Sequence, residues 1–366
     1  MNKLLAVLAL IFTGFTWSFA EEVPGVTDTT IRVGMIGDLT GPIAFAGQEA
    51  SEGARLYLQH VNDQGGVHGR QIELMVEDDG YQPPRTISAL RKLVDQDQVF
   101  CFAGNVATPT TIATFPFIER ERIPLIVPVT FASAVHAPPK RYVFAMDPSY
   151  NIQSWIIVKY ILEVEKAESP RLAVLYQDDD YGRDGLQGLH EAVAHYGVPI
   201  VAEESYKRGA VDFSTQVLNL KQANPTHVIL WTAYREAAAV LKEARLSGWQ
   251  PRFIGGASIA DDKVIELAGA DAEGFMTLQV VDFQSQDEGM RQYHELLQKY
   301  TPDHRLSLYH AAGFWSAQAL VEGLERAGRD LTREKLVEAM ESFKNWKGSI
   351  GPPLTYGPNL RGGQNT

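Results

Sequence analysis

The sequence predicts an α/β protein built from two doubly wound parallel-sheet lobes joined by a hinge. Three observations carry this. Short apolar runs alternate with amphipathic helical stretches along almost the whole chain, the rhythm of a parallel sheet covered by helices on both faces. That rhythm breaks near Met146–Pro148 and then starts afresh. The 366 residues also exceed what one ordinary hydrophobic core organises.

In order along the chain, Met1-Asn2-Lys3, the apolar stretch Leu4 to Phe15, and Ser18 and Ala20 ahead of Glu21 read as a secretory signal peptide over 1–20, cleaved after Ala20. Its apolar core is shorter than the roughly 20 residues a spanning helix needs, and no cysteine follows to take a lipid. The mature protein is therefore expected to be exported and soluble. The first lobe is expected over 24–147 with 281–345, and the second over 148–280 with 346–366.

In the first lobe, strand Ile31–Ile36 precedes helix Gln48–Asn62, whose Ala50, Ala54, Leu58 and Val61 share one face. Strand Ile72–Val76, helix Pro84–Asp95, strand Val99–Phe102, helix Thr111–Arg120 and strand Leu125–Val127 follow. The second set runs from helix Ile152–Glu165 through strand Leu172–Tyr176, helix Gly182–His195, strand Ile200–Ser205 and helix Phe213–Gln222. Strand His227–Trp231, helix Arg235–Ser247 and strands Phe253–Gly255 and Phe275–Val280 come next. Helices Glu288–Tyr300, Ser307–Ala327 and Arg333–Ser342 close the pattern. Ligands in open α/β sheets bind outside the carboxyl ends of the strands, so two such lobes place a site in the cleft between them.

The segment Val99–Pro109 combines an apolar strand, a turn at Gly104 and a helix start at Thr108-Pro109, with Thr108 as the expected N-cap and Pro109 in the first turn. A helix start of this kind aims unpaired N–H groups and the positive end of the helix dipole at one point, which suits an anion. Many α/β proteins begin a helix this way with nothing bound.

Other chemistries find little support. Net charge is −12 with lysine and arginine scattered, which argues against nucleic acid or an anionic membrane surface. The one cysteine, Cys101, lies in an apolar strand and reads as a small buried hydrophobe. There is no phosphate-loop, dinucleotide or nucleophile-elbow motif, and the nine histidines are dispersed. The run Asp178-Asp179-Asp180 lacks the spacing of a calcium loop and reads as a solvated turn. A binder without cofactor or metal is expected, not an enzyme.

From Ile31 to Gly80 the chain resembles the start of type I periplasmic binding proteins of the leucine/isoleucine/valine-binding group. The matching landmarks are Thr40-Gly41-Pro42, Gly47, the Val61-Asn62…Gly65-Gly66-Val67…Gly69 run and Asp78-Asp79. Further matches fall at Asp180-Tyr181-Gly182, Asp212-Phe213-Ser214 and Ala270–Gly274. The resemblance implies a monomer that captures a small carboxylate ligand between its lobes and hands it to the membrane subunits of an ABC importer. A sensory ligand-binding component of the same fold is the alternative.

Carried over residue by residue, the resemblance puts the carboxylate anchor at Thr108 with Val106 and Ala107 beside it, and further contacts on Val129, Thr130 and Phe131. Ala46 with Phe45 forms a wall in the first loop, and Tyr181, Tyr234 and Tyr309 line the opposite side. Where amino-acid binders of the group carry a Glu that pairs with the ligand ammonium, this chain has Ala257. A buried ammonium without its partner costs several kcal/mol. Either another acid substitutes, with Asp180, Asp261 and Asp282 as candidates, or the ligand has no amino group. The positions of the group's disulfide read Tyr81 and Ala107.

Overall fold

The computed structural model describes residues 23–348 and 350–362, so the expected signal peptide lies outside the described residues. Strands β1 (Thr30–Gly37), β2 (Gln71–Asp78), β3 (Cys101–Ala103), β4 (Leu125–Ile126) and β5 (Val143–Phe144) form one parallel sheet in the order β2-β1-β3-β4-β5. Strands β6 (Leu172–Gln177), β7 (Ile200–Tyr206), β8 (His227–Trp231), β9 (Arg252–Gly255) and β10 (Met276–Thr277) form a second, in the order β10-β9-β8-β6-β7. Counted from each lobe's own first strand, the two orders are the same. Each has a switch point, β1 beside β3 and β6 beside β8, where crossovers leave to opposite faces and open a crevice. Central strands are apolar throughout because both faces are covered; β8, HVILW, is buried at every position.

The first sheet is covered by α1 (Ala44–Asp63), α2 (Pro83–Arg91), α3 (Thr108–Glu121) and the short α4 (Ser133–His136). The second carries α5 (Tyr150–Lys159), α6 (Asp180–Tyr196), α7 (Ser214–Gln222), α8 (Tyr234–Leu246) and α9 (Asp262–Ala268). The chain then returns to the first lobe with α10 (Glu288–Tyr300), α11 (Leu308–Ala327) and α12 (Arg333–Glu341). Helices α1 and α11 meet at backbone distance. A Cβ on Gly53 would stand 1.9 Å from the His310 carbonyl oxygen, and one on Gly313 the same distance from that of Ala50. This contact fixes the start of α11, which carries Tyr309, against the start of α1, which carries Phe45 and Ala46.

Three expectations change. The expected strand over 275–280 contracts to β10, and the expected helix Pro84–Asp95 ends its α-helical part at Arg91 and continues in wider turns to Gln96. The terminal segment 346–366 was expected on the second lobe, but its described part packs on the first. Tyr356 donates to the Ala145 carbonyl at 2.6 Å, and Ala145 N–H donates to that of Arg361 at 2.7 Å. The Arg361 guanidinium, 1% exposed, donates to the carbonyls of Lys140 and Arg141 and to Glu341. A buried guanidinium must have its donors satisfied, and the acceptors that satisfy it lie beside β5.

Candidate functional site

The first wall of the cleft is built where β1, β3 and β4 end. Asp38, fully buried after β1, accepts from the N–H groups of Thr40, Gly41 and Ile43 and so shapes the loop leading into α1. Phe45, half-buried, faces the cleft there, and Ala46 is buried behind it. Past β3, Gly104 turns with φ +68°, a conformation that suits glycine. Val106 then pairs with Val129 as an isolated parallel bridge, and Ala107 N–H donates to the Val129 carbonyl at 3.3 Å. These N–H groups are therefore committed to the protein itself.

Thr108 is not the N-cap that its sequence position indicates. Ala107, at φ +81°, holds that place, α3 begins at Thr108, and the freed hydroxyl turns across to Thr130, oxygen to oxygen 2.7 Å. Among the described residues, the first-turn N–H groups of Thr108 and Thr110 have no backbone acceptor, and they flank Pro109, which has no N–H. The corner that results brings together two N–H groups, the end of a helix dipole and two buried threonine hydroxyls, a chemistry suited to an anion.

The second wall comes from the ends of β6, β8 and β9. Tyr181 is the second residue of α6, not part of a solvated turn, because Asp179 caps that helix and exposes only the neighbouring Asp180. Its hydroxyl donates to the Thr232 carbonyl at 3.0 Å and pairs with the Ser258 hydroxyl at 2.5 Å. Tyr309 reaches over from α11 and donates to the Ser258 carbonyl at 2.5 Å. Tyr234 opens α8, fully buried, edge-on to Phe45 at 5.7 Å and to Tyr309 at 6.4 Å. Ala257 is fully buried in the turn after β9, and its N–H donates to Gln153 at 2.9 Å.

Tyr150, Trp231 and Ser258 complete the site and were not singled out from the sequence. Tyr150, the first residue of α5, stands edge-on to Phe131 at 5.8 Å, to Tyr181 at 4.9 Å and to Trp231 at 5.6 Å. A tyrosine one residue past a Ser N-cap reads as helix surface, so the one available signal was its position just past the lobe crossing.

The lobes are closed on one another. Ser133 N–H donates to Asp184 at 2.6 Å, and Ser307 Oγ and Leu308 N–H donate to Asp261 at 3.0 and 2.9 Å. On another edge the Tyr81 hydroxyl accepts from Gln177 at 2.9 Å, while Arg208 lies 4.7 Å over its ring and donates to its carbonyl at 2.7 Å.

None of the three acids considered as substitutes for the one missing at 257 is free in the cleft. Asp180 and Asp282 are exposed, and Asp261 is spent on α9 and on α11. Burial raises the carboxyl pKa of Asp179, Asp184 and Asp261, and Asp179 is further engaged by Gln177 and Arg208. Glu236, 4% exposed in the first turn of α8, also has its pKa raised by burial, and its Oε2 has no hydrogen-bond partner among the described residues. Elsewhere, Glu49, Glu52 and His304 come together on the surface. Glu49 meets the Nε2 of His304 at 3.0 Å and Glu52 faces its Nδ1 at 3.8 Å, so the two carboxylates take different ring nitrogens.

Two matching α/β lobes closed over the cleft between them are the architecture of a binding protein that encloses a small molecule. The chain belongs to the periplasmic binding protein family, whose model matches residues 30–365. It is 25% identical to the leucine-, isoleucine-, valine-, threonine-, and alanine-binding protein of Pseudomonas aeruginosa over 354 residues, 96% of this chain and 91% of that protein. A possible leucine/isoleucine/valine-binding protein from Rhodopirellula baltica superposes with a TM-score of 0.86 at 25% identity, covering 95% of this chain and 94% of that one. A fatty acid ABC transporter substrate-binding protein from Thermomonospora curvata does so with 0.85 at 26% identity, covering 93% and 89%.

Proposed function

We propose that this protein is the exported solute receptor of an ABC importer. In this reading it is cleaved after Ala20, works as a monomer in the periplasm, and encloses a small organic acid that has a carboxylate but no α-ammonium. The observation that carries the reading is the asymmetry of the cleft. Thr108, Thr130 and the start of α3 offer donors to an anion, whereas Ala257 occupies the place of an ammonium partner. The rings of Phe45, Tyr234 and Tyr309, packed edge-on against one another, and that of Tyr181 supply an apolar, aromatic surface suited to a flat or branched skeleton. Relatives named for branched-chain amino acids and for fatty acids bracket this chemistry.

One observation favours a second reading. The unpartnered Glu236 Oε2, lying toward Tyr181 and Tyr206, is the carboxylate an amino-acid ligand would use in place of the missing one.

The test is a thermal-shift panel of aromatic acids, short branched acids, their amides and the corresponding amino acids. A true ligand at 100 times its Kd stabilises the protein by about 2.7 kcal/mol. Stabilisation by acids and not by amino acids or amides supports the proposal, and stabilisation by leucine alone overturns it.

A further inference from the structure

We infer that Tyr150 donates a third hydroxyl to the ligand carboxylate from the far side of the hinge, and so sets the preference for a charged carboxylate over a neutral amide. The inference rests on the carboxylate reading above.

Hydroxyl chemistry creates the need. Thr108 and Thr130 each own one hydroxyl proton, and because their oxygens are bonded to one another at 2.7 Å, one of those protons is consumed within the pair. Thr130 Oγ1 also accepts from Ala132 N–H at 3.2 Å. The pair thus presents a single proton to a group that accepts up to four hydrogen bonds.

Tyr150 is placed to supply another. Its hydroxyl stands beside those of both threonines. Its N–H donates to the Phe131 carbonyl at 2.8 Å, which ties the first turn of α5 to the first-lobe wall. Its ring is wedged edge-on among Phe131, Tyr181 and Trp231, so the hydroxyl is held from both lobes. A phenol is protonated at neutral pH, and burial raises its pKa further, so the hydroxyl has a proton to give. Because α5 belongs to the second lobe, this contact joins the two lobes at the site.

The experiment is calorimetric titration of the full-length mature protein and of Tyr150→Phe, which keeps the ring and its packing. The probes are benzoate, 4-methylpentanoate and their two primary amides. Hydrogen bonds to charged groups are the strong ones, so the variant is expected to weaken acid binding about tenfold or more and amide binding less than about twofold. Parallel loss for acid and amide would mean a packing role and overturn the inference, as would no loss at all. If the wild type itself prefers neither acid over its amide, the carboxylate reading fails and this inference falls with it. If the wild type prefers the acid and Tyr150→Phe keeps that preference, Tyr150 alone is misassigned.

Discussion

The two walls of the cleft are made from the same topology and do opposite jobs. The first-lobe wall ends in hydroxyls and helix-start N–H groups, with Thr108 and Thr130 2% exposed and bonded to each other. The second-lobe wall ends in rings, with Tyr181, Trp231 and Tyr234 each buried and the turn after β9 holding Ala257 and Ser258. Under the proposed function, one end of the ligand is met by fixed donors and the other by apolar surface and neutral hydroxyls. The contrast shows how one fold is tuned. The sheet order fixes where a ligand lies, and a few residues at the strand ends decide which charges it carries.

The contrast is most directly broken at its anchor. Thr108→Val keeps the shape of the site but removes the hydroxyl, and should weaken carboxylate binding roughly 10–100-fold by titration calorimetry. Unchanged affinity would remove Thr108 from the site. Next, 4-methylpentanoate should bind at least about tenfold tighter than leucine, since the second wall leaves an ammonium without a dedicated partner. Micromolar leucine binding that is lost in Glu236→Gln would instead make Glu236 that partner.

A pH measurement probes the rigidity of the first wall. His136, on α4, faces Asp147 at 3.5 Å, yet burial lowers its pKa to about 4, so the two are no ion pair at neutral pH. The unfolded chain takes up this proton near 6.5 and the folded chain does not. The stability that His136 contributes is therefore complete above pH 6.5 and is lost as pH falls toward 4. Relative to His136→Asn, the wild type should lose roughly 3 kcal/mol across that window in chemical denaturation. Parallel curves would rule out a neutral, buried imidazole.

The smallest effect is expected at the lobe edge. Tyr81→Phe removes the hydroxyl bonded to Gln177 while leaving the ring under Arg208, and should speed ligand release roughly 2–10-fold in stopped flow. An unchanged release rate would mean that this edge does not hold the cleft closed.

Much of the fold was legible because strand and helix periods survive in the sequence. Helix Glu288–Tyr300 and strand His227–Trp231 have the limits their patterns indicate. The short edge strand β10 was overread, since two residues pair where an apolar run of six was expected. The tail around Arg361 was placed on the wrong lobe because its partners are carbonyls, which leave no trace in a side-chain pattern.

Of the proposed site, the helix start at Thr108 was read from the chain, and Tyr181, Tyr234 and Tyr309 came from the family resemblance; the structure brings all of them to the strand ends that face one another. Tyr150 came from neither, because its role arises from where α5 enters the second lobe. Likewise a Thr-Pro helix start indicates a cap, but the chain placed Ala107 in that position and turned the hydroxyl toward Thr130.

By itself the sequence determined two parallel α/β lobes and an anion-suited helix start, since both are written in local pattern; that Ala257 stands where relatives carry an acid is what the family resemblance implies. Only the tertiary structure decided which hydroxyls converge, which acids are already spent and which residues close the cleft. Those depend on contacts between segments far apart in the chain, and hydrogen-bond partners across a cleft have no period to read.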